Sequence, residues 1–395
     1  MKFAHITDCH LGGWRQPELQ ELNLESFKTG IETCIKEKVE FILFTGDLFD
    51  SAFPPIETLK DTFYEFKKIK ENGIKSYVIA GSHDFSVSGK TFLDVLEKAG
   101  LCEICKYEEN ENEVILKPIK NKTFYIYGYP GKKSGLEIQS LRKLKINEPY
   151  KDNFRILMLH TTLKEAIKDL PIDSISIKEL PKADYYALGH IHIDFEYQNE
   201  GKPVIYGGPT FPNNFKELEE LKSGCFYIIE VNGFTKVSKK EIKLKEIFSF
   251  EITLDDALKA TQKIIEEFEK HDLKDKIVLL KLQGNLKKGK HSDINYQEIQ
   301  DYLKSKQVYS FLKNTSQLES KKTEEMQLDI QSKEIEKVED TLIKKYQKEN
   351  ISDFNYLIPS LIDILNIEKQ EAETNITFEK RLLGELNKVF GINLI

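Results

Sequence analysis

Along its first half the chain repeats one pattern: a short apolar run that stops at a small polar tip. No other feature limits the fold as much. Lys2 to Ile6 leads to Asp8 and His10, and Phe41-Ile-Leu-Phe-Thr ends in Gly46-Asp47. Ser76-Tyr-Val-Ile-Ala ends in Gly81-Ser82-His83-Asp84. Thr123 to Tyr129 is a further run, and Arg155 to Leu159 stops at His160. Tyr185-Tyr-Ala-Leu closes on Gly189-His190-Ile191-His192. Continuous apolar runs of this length predict strands buried on both faces. A glycine at the tip lets the backbone turn close to whatever sits there. Helical stripes fill the gaps, one from Leu19 to Lys38. Another is opened by Pro54-Pro55 and carries Leu59, Phe63, Phe66 and Ile69 to about Asn72. Later the strands dominate, with Pro203 to Pro209 and Cys225 to Val231. The expected class is α/β: a two-sheet sandwich flanked by helices over residues 1–240.

A chain of 395 residues exceeds one ordinary domain. Residues 241–315 have a strand–helix rhythm of their own, with Ile277-Val-Leu-Leu-Lys-Leu as the clearest strand, and predict a small α/β capping domain. Between Lys276 and Lys306 seven lysines stand against Asp293, Glu298 and Asp301. The sharpest cluster, Lys287, Lys288 and Lys290, is a solvated loop or a phosphate-contacting one. Residues 316–353 are strongly polar but keep a stripe of Ile335, Val338, Leu342 and Tyr346, which predicts an exposed helical linker. In residues 354–395, Tyr356, Leu357, Leu361, Ile364 and Leu365 form one helical face. Phe378, Leu382, Leu386 and Val389 form another. Two short amphipathic helices beyond a linker either dock on a partner helix or coiled coil or pack back on the chain's own body.

The net charge of −7 argues against a general nucleic-acid coat, so any such contact must use local patches. Five cysteines are an odd count, and Cys102-x-x-Cys105 lacks a second pair, which argues against a disulfide framework and a zinc ribbon. With no membrane span and no signal peptide in view, the cytoplasm is the expected location.

Collected, the strand tips hold Asp8, His10, Asp47, Ser82, His83, His160, His190 and His192. Tips of neighbouring parallel strands lie side by side, so these residues can meet. Imidazole and carboxylate suit zinc, manganese or iron. One ion would not need so many ligands, but two ions sharing a carboxylate would, and Asp47 is the natural bridge. His190 and His192 share a face if the strand continues; on a turning loop each can approach a different ion. His5 is expected to be a packed strand histidine.

In this order Asp8-x-His10, Gly46-Asp47, Gly81-Ser82-His83-Asp84, His160 and Gly189-His190-x-His192 resemble the calcineurin-like metallophosphoesterases. Asp8-x-His10-Leu11-Gly12 and Gly46-Asp47-Leu48-Phe49 look more narrowly like the SbcD/Mre-eleven DNA-repair nucleases, over the whole length of the chain. The resemblance implies two manganese ions, one held by Asp8, His10, Asp47 and His192. The other would be held by Asp47, His160, His190 and position 82. It implies that His83 contacts the scissile phosphate and that the capping domain helps hold DNA. It also implies that the terminal helices bind an SbcC/Rad-fifty-type ATPase, and that the helices after Asp47 and His83 pair two copies in a homodimer. The activity implied is a 3′-to-5′ exonuclease with single-strand endonuclease activity.

Two residues depart from the family pattern. Ser82 stands where the family has asparagine, which predicts weaker binding of the second ion. Asp50 stands where some relatives carry histidine, and it is expected to orient His83. A phosphatase or cyclic-nucleotide phosphodiesterase on the same core, and a weakly active scaffold, are the other readings.

Overall fold

In the computed structural model the structure describes residues 1–85, 89, 91–132, 135–147, 153–167, 172–320, 357–365, 367 and 375–390. The expected sandwich is present. Its first sheet is built on three parallel strands, β1 (Lys2–Ile6), β2 (Phe41–Thr45) and β3 (Lys75–Ile79). The second is built on parallel β4 (Phe124–Tyr129), β5 (Phe154–His160) and β6 (Tyr185–Gly189). Next come the hairpin strands β7 (Asp194–Asn199) and β8 (Lys202–Gly207). β8 lies parallel to β6. The long hairpin of β9 (Gly224–Asn232) and β10 (Phe234–Ile242) returns to the first sheet, with β9 antiparallel to β1.

Alternate side chains of one strand serve two cores. Phe41 and Leu43 of β2 point into the sandwich, where Ile126, Ile156, Met158 and Ala187 of the second sheet meet them. Phe41 stacks on Phe3 at 4.9 Å and meets Phe124 at 4.6 Å between ring centroids. Ile42 and Phe44 point the other way. That face is covered by α1 (Pro17–Lys36), α2 (Ile56–Glu71) and α3 (Leu93–Lys98). Burying each such aromatic or aliphatic side chain contributes about 1.5–3 kcal/mol. β2 is therefore buried on both faces and end to end, as its unbroken apolar run requires.

After α4 (Phe215–Leu221) and the β9–β10 hairpin, the chain builds a three-stranded sheet. Its order is β11 (Ile247–Thr253), β12 (Ile277–Leu286) and β13 (Ser310–Ser320). Two helices cover it, α5 (Ala260–Phe268) and α6 (Tyr296–Ser305). Ile277 and Leu279 pack with Trp14, Leu19, Phe211 and Leu218 of the sandwich. β13 corrects one expectation: residues 316–320, assigned to the polar linker, are the end of this strand. A half-buried antiparallel or mixed strand tolerates one polar face, so polarity alone did not mark its end. The stripe of Ile335, Val338, Leu342 and Tyr346 lies outside the described residues, as does Tyr356.

Two compact units result, residues 1–284 with 288–318, and residues 285–287 with 319–395. In the second, α7 (Ile358–Leu365) and α8 (Asn375–Phe390) pack on each other. Phe378, Leu382, Leu386 and Val389 of α8 are only half-buried. Among the described residues no helix is long and apolar enough to cross a membrane.

Candidate metal centre

The carboxyl ends of β1, β2, β3, β5 and β6 open on one place, and the tip residues gather there. Asp8, His10 and His192 form one group, and Asp47, His160 and His190 another. Within each group the ligand atoms lie within 4.8 Å of one another. His10, Asp50 and His83 form a third, more exposed group beside them.

The tips are held by an unusual backbone. Asp8 (φ 50°), His10 (43°), Asp47 (49°) and His190 (102°) all lie in left-handed conformations. Each such non-glycine position costs on the order of 1–3 kcal/mol and persists only where its surroundings dictate it. Here they do: Asp8 N–H donates to Gly46 O (3.1 Å), His10 N–H to Asp47 O (3.0 Å) and His190 N–H to Asp8 Oδ1 (3.0 Å). The glycines answer to space. A Cβ on Gly46 would sit 2.3 Å from His160 Nδ1, and one on Gly189 2.1 Å from Thr7 Oγ1 and 2.4 Å from Thr45 O.

The ring nitrogens show what the cluster is built for. His10 Nδ1 lies 3.1 Å from Asp50 Oδ1, His192 Nδ1 2.9 Å from Glu217 Oε1, and His160 Nδ1 2.9 Å from Thr45 O. All three partners can only accept, so each Nδ1 carries a hydrogen, and each ring in its neutral form presents the Nε2 lone pair. Those lone pairs face one another or a carboxylate. His10 Nε2 is 3.0 Å from His192 Nε2, and His160 Nε2 is 3.1 Å from Asp47 Oδ2. His160 Nε2 is buried without a hydrogen bond. Asp47 Oδ2 is also 3.7 Å from His10 Nε2, so this one oxygen stands between the two groups. Lone pairs aimed at each other in a buried site repel unless a cation lies between them. Imidazoles anchored through the far nitrogen are the arrangement in which proteins hold divalent metals. The residues present therefore fit metal ions.

The electrostatics agree. Burial opposes charge on His160, but the Asp47 carboxylate outweighs it and lifts the imidazole to about 10. His192 rises to about 9, burial again opposing and the Glu217 bond raising. Asp47, although buried, is held well below the usual carboxylate range by His160 and His10. His190, by contrast, is pushed down by burial and by His160 beside it, so positive charge is favoured at the carboxylate-paired positions, where a bound metal would take the place of the ring protons.

Ser82 Oγ reaches Asp47 Oδ2 only at 3.5 Å. His83 is about half exposed, its ring 4.8 Å from that of His10, and Asp47 Oδ1 accepts from its backbone N–H at 2.8 Å. The expected pairing of Asp50 with His83 takes a different form. His83 Nδ1 donates to the Asp50 main-chain oxygen at 2.8 Å, while the carboxylate, 3.9 Å from that nitrogen, is engaged by His10 and by Asn213 Nδ2 (3.3 Å). His10 comes closer to the carboxylate because Leu11 and Phe49 bridge the two loops side by side.

Lys287, Lys288 and Lys290 lie on the exposed turn after β12, outside the cluster. His5 is buried, between Tyr185 OH (3.0 Å) and Thr45 Oγ1 (2.9 Å), as a packed strand histidine. Two residues of the site carried no role in the sequence. Asp84, fully buried, accepts from Gly81, Leu48 and Phe49 N–H and so ties the β2 and β3 tips together. Burial, with Asp47 nearby, pushes it up to about 6. Glu217 holds His192, and the one signal for it was the helix-start pattern Asn214-x-x-Glu217.

Two facing sheets with histidines and aspartates converging from their strand ends define a metal-dependent phosphoesterase of the calcineurin-like class. The family of calcineurin-like phosphoesterases matches residues 1–194. The DNA double-strand break repair protein Mre11 of Methanocaldococcus jannaschii is 32% identical over 267 residues, covering 64% of this chain and 69% of that protein. The Mre11 protein of Archaeoglobus fulgidus is 27% identical over 312 residues, covering 72% and 69%. An uncharacterized metallophosphoesterase of Bacillus subtilis, YhaO, is 30% identical over 246 residues, covering 59% and 58%. The chain belongs to the Mre11 family and is a metal-dependent phosphodiester hydrolase.

Proposed function

We propose that this chain is a two-metal, manganese-dependent DNA phosphodiesterase acting in double-strand-break repair. The observation that carries the reading is the set of three histidines anchored through Nδ1, with Nε2 of His10 and His160 turned to Asp47 Oδ2 and Nε2 of His192 turned to His10 Nε2 and, at 3.9 Å, to Asp8 Oδ1. One ion is assigned to Asp8, His10, Asp47 and His192, the other to Asp47, His160 and His190, with Ser82 in the place of a fourth ligand. Bound there, such a pair would supply a water of lowered pKa and positive charge against the phosphodiester oxygens.

The chain's own groups do the rest. Asp47 supplies the shared oxygen. Asp50 and Glu217 fix the rings of His10 and His192. His83 keeps its Nδ1 hydrogen on the Asp50 carbonyl, so Nε2 is the nitrogen that exchanges a proton. It contacts the scissile phosphate and protonates the leaving oxygen. The substrate is DNA, cut as a 3′-to-5′ exonuclease and a single-strand endonuclease, with Lys287, Lys288 and Lys290 of the capping domain holding phosphates.

The half-buried apolar face of α8 and the exposed Leu365 of α7 support docking on an SbcC/Rad-fifty-type ATPase. Ile56 and Tyr64 on α2 and Val95 on α3, all exposed, support a homodimer through those helices. The domains proposed are 1–240 for the nuclease core, 241–320 for the cap and 354–395 for the partner helices, in a cytoplasmic protein.

The test incubates the protein with manganese and labelled DNA, with and without the ATPase, beside a His83→Ala variant. Cleavage lost in the variant and stimulated by the ATPase supports the reading. Product only from small phosphate esters would assign a phosphatase instead, and no product from either would leave a scaffold.

A further inference from the structure

Glu217 lies 25 residues from His192 in sequence, yet its carboxylate is built into the site. Oε1 accepts from His192 Nδ1 at 2.9 Å, and Oε2 accepts from the Asn213 backbone N–H at 2.8 Å. Oε1 also accepts from the Asn214 side-chain amide, while Asn214 Oδ1 accepts from Glu217 N–H at 3.0 Å and caps the helix. The carboxylate is held by three donors, and its side chain is only 15% exposed.

Its helix is fixed as well. Leu218 and Phe215 of α4 pack with Trp14, Phe211, Ile277 and Leu279, the apolar seat shared by the sandwich and the cap sheet. Trp14 Nε1 donates to Pro212 O at 3.0 Å, and Ser26 Oγ to Thr210 O at 2.7 Å, so the lead-in to α4 is pinned at both sides. The same loop reaches the second anchored histidine: Asn213 Nδ2 donates to the Asp50 carboxylate that holds His10.

We infer that Glu217 is a positioning residue that fixes the tautomer and ring orientation of His192. Its place on α4 makes the seat of the cap part of what holds that ring. The inference rests on the metal-centre reading above. A histidine ligand whose outer nitrogen donates to a carboxylate is a better and better-aimed donor, and loss of such a partner lowers metal affinity about 10–100-fold. The expectation is that one ion, the one assigned to His192, weakens and the other does not.

The experiment is manganese titration of the full chain by calorimetry without DNA, with the His192 ring nitrogens followed by NMR under a diamagnetic ion such as zinc. Glu217→Ala should weaken one manganese site about 10–100-fold and shift the His192 Nδ1 resonance as its hydrogen loses the carboxylate and exchanges faster with water. Glu217→Gln, which keeps an acceptor oxygen, should fall between and carries the test if Glu217→Ala does not fold. Ser26→Ala removes a buried bond in the same lead-in without touching His192, so it should lower thermal stability and leave both manganese affinities at the wild-type value. Wild-type affinity in both Glu217 variants, or equal weakening in Ser26→Ala, overturns the inference. A wild-type chain that binds no manganese overturns instead the metal-centre reading.

Discussion

Replacing Asp50 by asparagine separates two roles that one residue plays with two different oxygens. The main-chain oxygen accepts from His83 Nδ1 at 2.8 Å, and a side-chain substitution leaves it in place. The carboxylate accepts from His10 Nδ1 at 3.1 Å and is held below the usual carboxylate range first by that bond. Asn keeps an acceptor there but removes the charge. A hydrogen bond to a charged group contributes about 1.5–3 kcal/mol and a neutral one about 0.5–1.5, so the change costs on the order of 1–1.5 kcal/mol. At 1.4 kcal/mol per decade that is roughly a 5- to 10-fold loss of affinity for the ion His10 holds. The assay is DNA cleavage against manganese concentration. Half-saturation should move up about 5- to 10-fold, while the rate at saturating manganese stays within about twofold of wild type, because His83 is still oriented. A rate at saturation that falls about 100-fold with half-saturation unmoved would refute this division and give the carboxylate a direct part in the chemistry.

Three further outcomes follow from the same geometry. His5 is buried neutral and lowered by burial from 6.5 to about 3. The unfolded chain therefore takes up its proton first: the stabilisation is complete above about pH 6.5 and is lost as pH falls toward 3. Between pH 7.5 and 5 the loss is about 2 kcal/mol, so in urea unfolding under chelator the wild type should lose that much more than His5→Gln over this interval. Gly189→Ala places a Cβ against Thr7 Oγ1 and the Thr45 carbonyl, one of them backbone. It should destabilise by more than about 3 kcal/mol, seen as a lower denaturant midpoint; an unchanged midpoint would show that the tips give way freely. Ser82→Asn supplies the amide oxygen that Ser82 lacks, so in calorimetry it should tighten the weaker of two manganese sites, and two equally tight sites in the wild type would contradict the premise.

The strand tips were legible because most follow an apolar run, and a polar residue inside a doubly buried strand needs partners of its own, as His5 has in Tyr185 and Thr45, whereas at the strand end it is free for a site. Parity did not decide His190 and His192. The backbone of His190 turns at φ 102°, the strand stops at Gly189, and the two rings join different groups. Asp50 was singled out, but the partner of its carboxylate was not readable, because the Asp50 main chain and not its side chain faces His83.

By itself the sequence determined which residues must be buried, where strands end, and that imidazoles and carboxylates collect at those ends. Periodicity and side-chain chemistry are local properties, and each run carries its own. Tertiary structure alone decided who holds whom. His10 reaches across 40 residues to Asp50, His192 across 25 to Glu217 and His160 across 115 to Thr45. The first joins the tips of neighbouring strands in one sheet, the second a strand tip to a helix, and the third depends on two sheets meeting face to face with their tips level. No short stretch encodes that meeting, because its driving force is the burial of both inner faces in one core.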